Sequence, residues 1–262
     1  MSAETSRRES HAVILLLAGG TLLRIAISGD FQRYVKVGLR PYLLVSGAVI
    51  VTLALLSLLQ SLPKAPLIMW LVAHSTACRP PDPMIDEDGH AHSHGHGRFD
   101  VGWLLVMPMA VLLFVGPPAI GAFAASRSGT ALTAAPDSPY PPIPAGDPVT
   151  MSVIDFASRA VFDSTHSLAG RHVALTGFLT KAPGGGFYLT RMVVTCCAAD
   201  AQPIKVGLSG TLPSGAGSDA WVAVTGHLGT QTAKDPVNGA KIPFLVVTSA
   251  IATTVPSQPY ES

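Results

Sequence analysis

The sequence predicts two unlike parts: an α-helical membrane region of about three spans, followed by a small β-barrel domain. Three observations predict this. Long apolar runs, almost free of charge, crowd the first half of the chain. A stretch rich in Pro, Ser, Gly and Ala divides it near the middle. Beyond that, five short strand-like runs are punctuated by Gly, Pro and Ser. Charged residues are 13% of the 262 and apolar ones 48%, a texture unlike that of a soluble chain. The net charge of +1 offers no basic face for nucleic acid and no acidic tail for cations.

The first span is AVILLLAGGTLLRIAISG, residues 12–29. Its length is close to the ~20 residues that cross a bilayer. Arg24 interrupts it and no small-residue cleavage site follows, so it reads as a retained helix rather than a signal peptide. A short basic loop with Arg33, Lys36 and Arg40 leads to the second span, residues 41–62, which carries no charge. APLIMWLVA, residues 65–73, is too short for a full crossing. The third span, residues 101–125, is interrupted by Pro108 and Pro117-Pro118 and has Trp103 near its start, where interface aromatics sit.

Residues 1–125 thus form the transmembrane region, with a His-rich loop over 82–100. Residues 126–148 read as a proline-stiffened linker. In the part from 149 to 262, residues 151–163 have helical apolar spacing, and the five strand-like runs follow. Two of these runs, VALTGFL and VAVTGHL, echo each other with Gly177 and Gly226 in mid-strand, where Gly marks a bend or bulge. Five short bent strands beside a helix predict a closed, OB-like barrel.

Two patterns carry candidate chemistry. In DEDGHAHSHGHG, His90, His92, His94 and His96 alternate with small residues behind an acidic run. Imidazoles suit zinc-class metals, and such a tract makes a loose, exchangeable site rather than a preformed cage. The second pattern is TCCAAD at the end of a strand. Cys196 and Cys197 reach one ion only if the strand stops there, because strand neighbours point to opposite faces. The turn that follows lets Asp200 approach. The residues leave three readings of the pair open: buried structural thiols, metal ligands, or a redox pair. No CxxC, nucleophile elbow, phosphate loop or HExxH occurs, so no enzyme is expected. Arg191, which interrupts its strand, is expected to be structural, with Asp200 as one candidate partner.

Two or three N-terminal spans, a His-rich loop before a proline-kinked span, and TGF…FYLTRMVVTCCAADAQP…WVAVTGHL…PY resemble the YcgQ-like family of permease subunits. The resemblance covers nearly the whole chain. It implies a membrane protein that accompanies a separate multi-span permease of the YcgR type, with an association with zinc homeostasis and no catalytic residues to carry over. The chain departs from that pattern in a longer APLIMWLVAHSTACRPP segment, which leaves the number of crossings open.

The expected function is therefore a non-enzymatic accessory subunit of a permease, handling a divalent metal such as zinc. Its expected ligands are His90, His92, His94, His96, Cys196, Cys197 and Asp200, and its partners the permease and the lipid bilayer, with no nucleic acid. The alternatives are a membrane-tethered OB-like binding module and a thiol-redox protein using Cys196 and Cys197. The charge rule does not orient the chain: Arg7, Arg8, Arg79 and Arg98 on one side balance Arg33, Lys36, Arg40 and Arg127 on the other. The Thr-, Ser- and Gly-rich composition of the C-terminal part favours an extracytoplasmic barrel in a multi-pass cell-membrane protein.

Overall fold

The computed structural model describes residues 3–61, 104, 106–114, 118–132 and 139–261. The described chain forms two compact units. The first holds α1 (Ala3–Ser28), α2 (Arg40–Ser61) and α3 (Val106–Phe114). The second runs from Pro118 onward and also takes in Asp30–Leu39, the connection between α1 and α2.

α1 and α2 are each long and apolar enough to cross a membrane. The outward side chains of α2, among them Val45, Val49, Leu53 and Leu56, are exposed, as they would be on a surface that lipid covers. The two helices meet through small residues, the usual means of close approach between apolar helices. A Cβ on Gly19 would lie 2.8 Å from Val51 Cγ2, and one on Gly47 2.9 Å from Leu23 Cγ. Arg40 Nε donates to Ala26 O at 3.2 Å, satisfying a carbonyl left open in the last turn of α1. Gly47→Leu is expected to wedge the pair apart and to destabilise the detergent-solubilised chain by roughly 1–3 kcal/mol. An unchanged melting temperature would contradict that approach.

Of the expected three or so spans, two helices of spanning length stand among the described residues, and part of the third apolar run lies outside them. The third apolar run is divided. Its helix covers nine residues, and the part from Pro118 belongs to the second unit. There α4 (Ala122–Ala125) buries Ala122 and Ala125 against Phe178, Met192, Val194 and Tyr260. Consecutive prolines cannot continue the helical ladder, and small alanines then pack closely on the barrel.

The barrel follows from the strand pairings. Its strands are β2 (Val173–Lys181), β3 (Phe187–Val193), β4 (Gln202–Ser209), β5 (Trp221–Lys234) and β6 (Lys241–Ala252). They pair in the order β2-β5-β6-β4-β3, and a β2–β3 pairing closes the ring. All pairs are antiparallel except β4–β6. This five-stranded closed barrel fits an OB-like domain. The two echoing segments are partners, with Val173 opposite Gly226 and Gly177 opposite Val222. Gly226 sits at a register shift, where a Cβ would fall 2.1 Å from Val246 O, so only Gly permits the bend.

α5 (Val153–Phe162) packs Val153, Phe156 and Ala157 into the barrel's core. Ser152 Oγ accepts from Asp155 N, and the Glu261 carboxylate accepts from Val153 N and Ile154 N, both at 2.9 Å. Together these satisfy the open donors of the first turn. The short strands β1 (Val149–Thr150) and β7 (Tyr260–Glu261) add in parallel to β2 and β3.

Residues 126–132, read as linker, are bonded to the barrel. Ala131 N donates to Pro203 O at 2.9 Å, Thr130 N donates to Asp235 at 3.0 Å, and Thr130 is fully buried. Backbone groups make most of these contacts, so linker-like composition did not exclude them. Arg191 is structural, as expected, but with another partner: it is buried beside Glu261 at 3.6 Å, an ion pair too long for a hydrogen bond, and its Nη2 donates to Gln258 O at 2.8 Å. Asp200 is not its partner.

Candidate metal centre

β3 ends at Val193, and the chain turns sharply after the buried Val194. Cys196 is exposed and Cys197 half-buried, both as free thiols. Neither thiol lies in the barrel core, so the reading of the pair as buried structural residues is set aside. The strand stops three residues before Cys196, and this frees both thiols to face the same turn.

Asp200 makes the turn. It sits in a one-turn 3-10 helix, Ala198–Asp200, that folds back toward the thiols. Its carboxylate accepts from Thr195 N at 2.9 Å, Cys196 N at 2.8 Å and Cys197 N at 3.4 Å. Three successive backbone donors thus converge on one side chain. Small residues at Ala198 and Ala199 let the chain pass close to the thiols. The Sγ atoms of Cys196 and Cys197 and a carboxylate oxygen of Asp200 all lie within 4.8 Å of one another. A zinc–thiolate bond of ~2.3 Å and a zinc–carboxylate bond of about 2.0–2.2 Å are met by a modest closure of such a group.

The Cys196 thiol donates to Asp200 and interacts with Cys197, and its pKa is pushed up to about 11. The same hydrogen bond from Cys196, with those from the backbone, holds the Asp200 carboxyl below its usual range. At neutral pH without a cation, then, Cys196 is a protonated thiol and a poor nucleophile. A bound cation would displace the Cys196 proton and so free an acceptor position on the Asp200 carboxylate. Cys196, Cys197 and Asp200 would then be the three groups that hold it. Zinc affinity is expected to rise about tenfold per pH unit for each thiol proton released, over about pH 6 to 8. Competition against a chelator of known protonation measures this; a flat profile would mean that the thiols do not bind as thiolates.

Of the other sites the sequence singled out, His90, His92, His94 and His96 lie outside the described residues. Among the described residues no histidine joins the thiol cluster. His172 pairs instead with Asp147 at 3.1 Å and meets the His227 ring edge-on at 6.1 Å. Phe178 and Tyr188, aromatics of the OB-like barrel, are buried.

Sequence reasoning missed a second feature of the site. The 30–39 connection docks on its backbone. Lys36 N donates to Cys196 O at 3.0 Å and Ala198 N to Tyr34 O at 2.6 Å, with Val35 bridged to Cys197. The contacts are main-chain groups, which side-chain identity does not mark; the fully buried Phe31 is the clearest side-chain trace.

Residues 157–261 match the family model described as the DUF1980 C-terminal domain. That match covers less than half of the chain. It spans α5 from Ala157 and the whole barrel, so the Cys196–Cys197–Asp200 turn and the Glu261 cap both fall within the DUF1980 region. A search among curated proteins found no match, and neither did one among solved structures.

Proposed function

We propose that this protein is a membrane-anchored, non-enzymatic accessory subunit that holds a zinc-class metal ion for a partner permease. The observation that carries this reading is the convergence of Cys196, Cys197 and Asp200 on an exposed turn of the DUF1980 domain. Three protein ligands and an open position suit an ion that is passed on, whereas a closed four-ligand site retains it. The two long apolar helices supply the anchor. The sequence resemblance to YcgQ-like subunits supports a multi-span YcgR-type permease as the partner and the cell membrane as the location, with the barrel extracytoplasmic. The His90, His92, His94 and His96 tract supplies a second, looser reservoir of imidazoles.

Zinc titration of the purified full chain against a chromophoric chelator tests the reading. One site per chain is expected to remain when the four tract histidines are replaced by Ala. A chain that binds no zinc after that replacement would leave the tract alone as ligand and sink the thiol site.

A further inference from the structure

We infer that the Cys196–Cys197–Asp200 turn works at the membrane surface, on the face of the bilayer that carries the connection between α1 and α2. The inference deepens the metal-site reading by giving the site a place, and it rests on that reading only for its functional meaning. The argument comes from contacts within the second unit and from chain length. Val35 forms a β-bridge with Cys197, and hydrogen bonds on either side join Lys36 to Cys196 and Tyr34 to Ala198. Lys36 lies four residues before Arg40, where α2 begins. An extended chain covers at most about 14 Å over that distance. Tyr34 lies six residues after Ser28, where α1 ends, a reach of at most about 21 Å. The thiol turn is therefore tethered close to the ends of both apolar helices, whatever the orientation of the rest of the domain.

A second contact within the second unit holds the same connection. The Tyr260 hydroxyl donates to Arg33 O and accepts from Ile120 N, each at 3.0 Å. Arg33 belongs to the inter-helix connection, and Ile120 lies three residues beyond Pro117, the end of the first unit. One buried phenol thus ties together the places where the chain passes into the domain. If α1 and α2 cross the bilayer, the connection lies on one face, and the domain bonded to it lies on that face too. Arg33, Lys36 and Arg40 add exposed cations there, suited to the headgroup level. Thiols at that level lie within reach of a membrane-embedded partner.

Single-thiol variants of the full chain in sealed liposomes test this, without any metal. Cys196 is kept alone by C78A and C197A; two further chains, with all native cysteines replaced, carry G38C or G184C. Gly184 lies in the turn before β3, at the far end of a strand about 20 Å long, and a side chain there meets open space. Each thiol is labelled with a fluorescent maleimide and quenched by lipid bearing a headgroup nitroxide. Quenching several-fold stronger at Cys196 and Gly38→Cys than at Gly184→Cys is expected. A membrane-impermeant maleimide should also reach Cys196 and Gly38→Cys from the same side. Equal or stronger quenching at Gly184→Cys, or labelling of the first two from opposite sides, overturns the inference. T195C replaces the Cys196 chain if that chain fails to insert, and is read by the same criteria. Because no zinc is present, failure here leaves the metal reading intact, and failure of zinc binding leaves this placement intact.

Discussion

Zinc affinity of the full chain, with the His tract replaced, is expected to fall about 100-fold for each of Cys196→Ala and Cys197→Ala. The figure comes from sharing the affinity of four-ligand zinc peptides among their ligands. Asp200→Asn should cost about 10–100-fold, as loss of a carboxylate that orients ligands does. Asp200 has two roles, since it holds the three backbone N–H groups that shape the turn and also offers an oxygen to the ion. Asn retains an acceptor for part of the turn but not the charge. Melting curves in chelator and in reductant separate the alternatives. If the Cys variants melt lower and neither additive matters, the thiols are structural after all. If reductant alone removes the difference, they pair as a disulfide. The metal reading requires that chelator lower the wild-type midpoint and leave the variants unchanged.

Asp235→Ala is expected to destabilise the barrel by roughly 3–5 kcal/mol, the range for orphaning one partner of a buried ion pair. Lys205 Nζ lies 2.9 Å from Asp235 Oδ2, and the two side chains are 3% and 0% exposed. The same carboxylate accepts from Thr130 N at 3.0 Å and Val237 N at 2.9 Å. It therefore joins β4, the 126–132 segment and the β5–β6 turn at one point. Burial pushes the Asp235 pKa up, but the bonds from Lys205, Val237 and Thr130 outweigh it and hold the group below its usual range. A carboxyl lowered in the folded state stabilises fully above its unfolded value, so this contribution is lost as pH falls through the folded one. Chemical denaturation of the variant, compared with a Lys205→Met/Asp235→Leu double variant, checks the assignment. The double variant should recover part of the loss, because it leaves no unpaired charge, while Thr130 N and Val237 N still lose their acceptor. A single variant within about 0.5 kcal/mol of wild type would contradict it.

The barrel was legible because each strand carries alternating or β-branched residues between Gly and Pro breaks, and α5 because its apolar residues recur with helical spacing. The cluster of two thiols and a carboxylate was legible for a local reason: all three groups fall within five residues, and the turn that joins them is spelled out by Ala-Ala-Asp. What sequence could not show lies far apart in the chain or is made by the backbone. Glu261 caps α5 from more than 100 residues away. Arg191 chose that same distant carboxylate over the nearby Asp200, because both Arg191 and Glu261 are buried where β3 meets β7. The third apolar run looked continuous by composition, yet Pro117-Pro118 divides it between the two units.

The bridge between Val35 and Cys197 joins residues about 160 positions apart in the chain. Contacts of that separation form late, since closing a long loop costs entropy before any contact rewards it. Helices propagate within about a microsecond, far faster than a Greek-key ring of strands assembles. α1 and α2 are therefore complete while the 30–39 connection still has nothing to bind. By these timescales that segment is expected to dock last, after β3 has turned into Cys196 and Cys197, and the thiol turn to take its final shape with it.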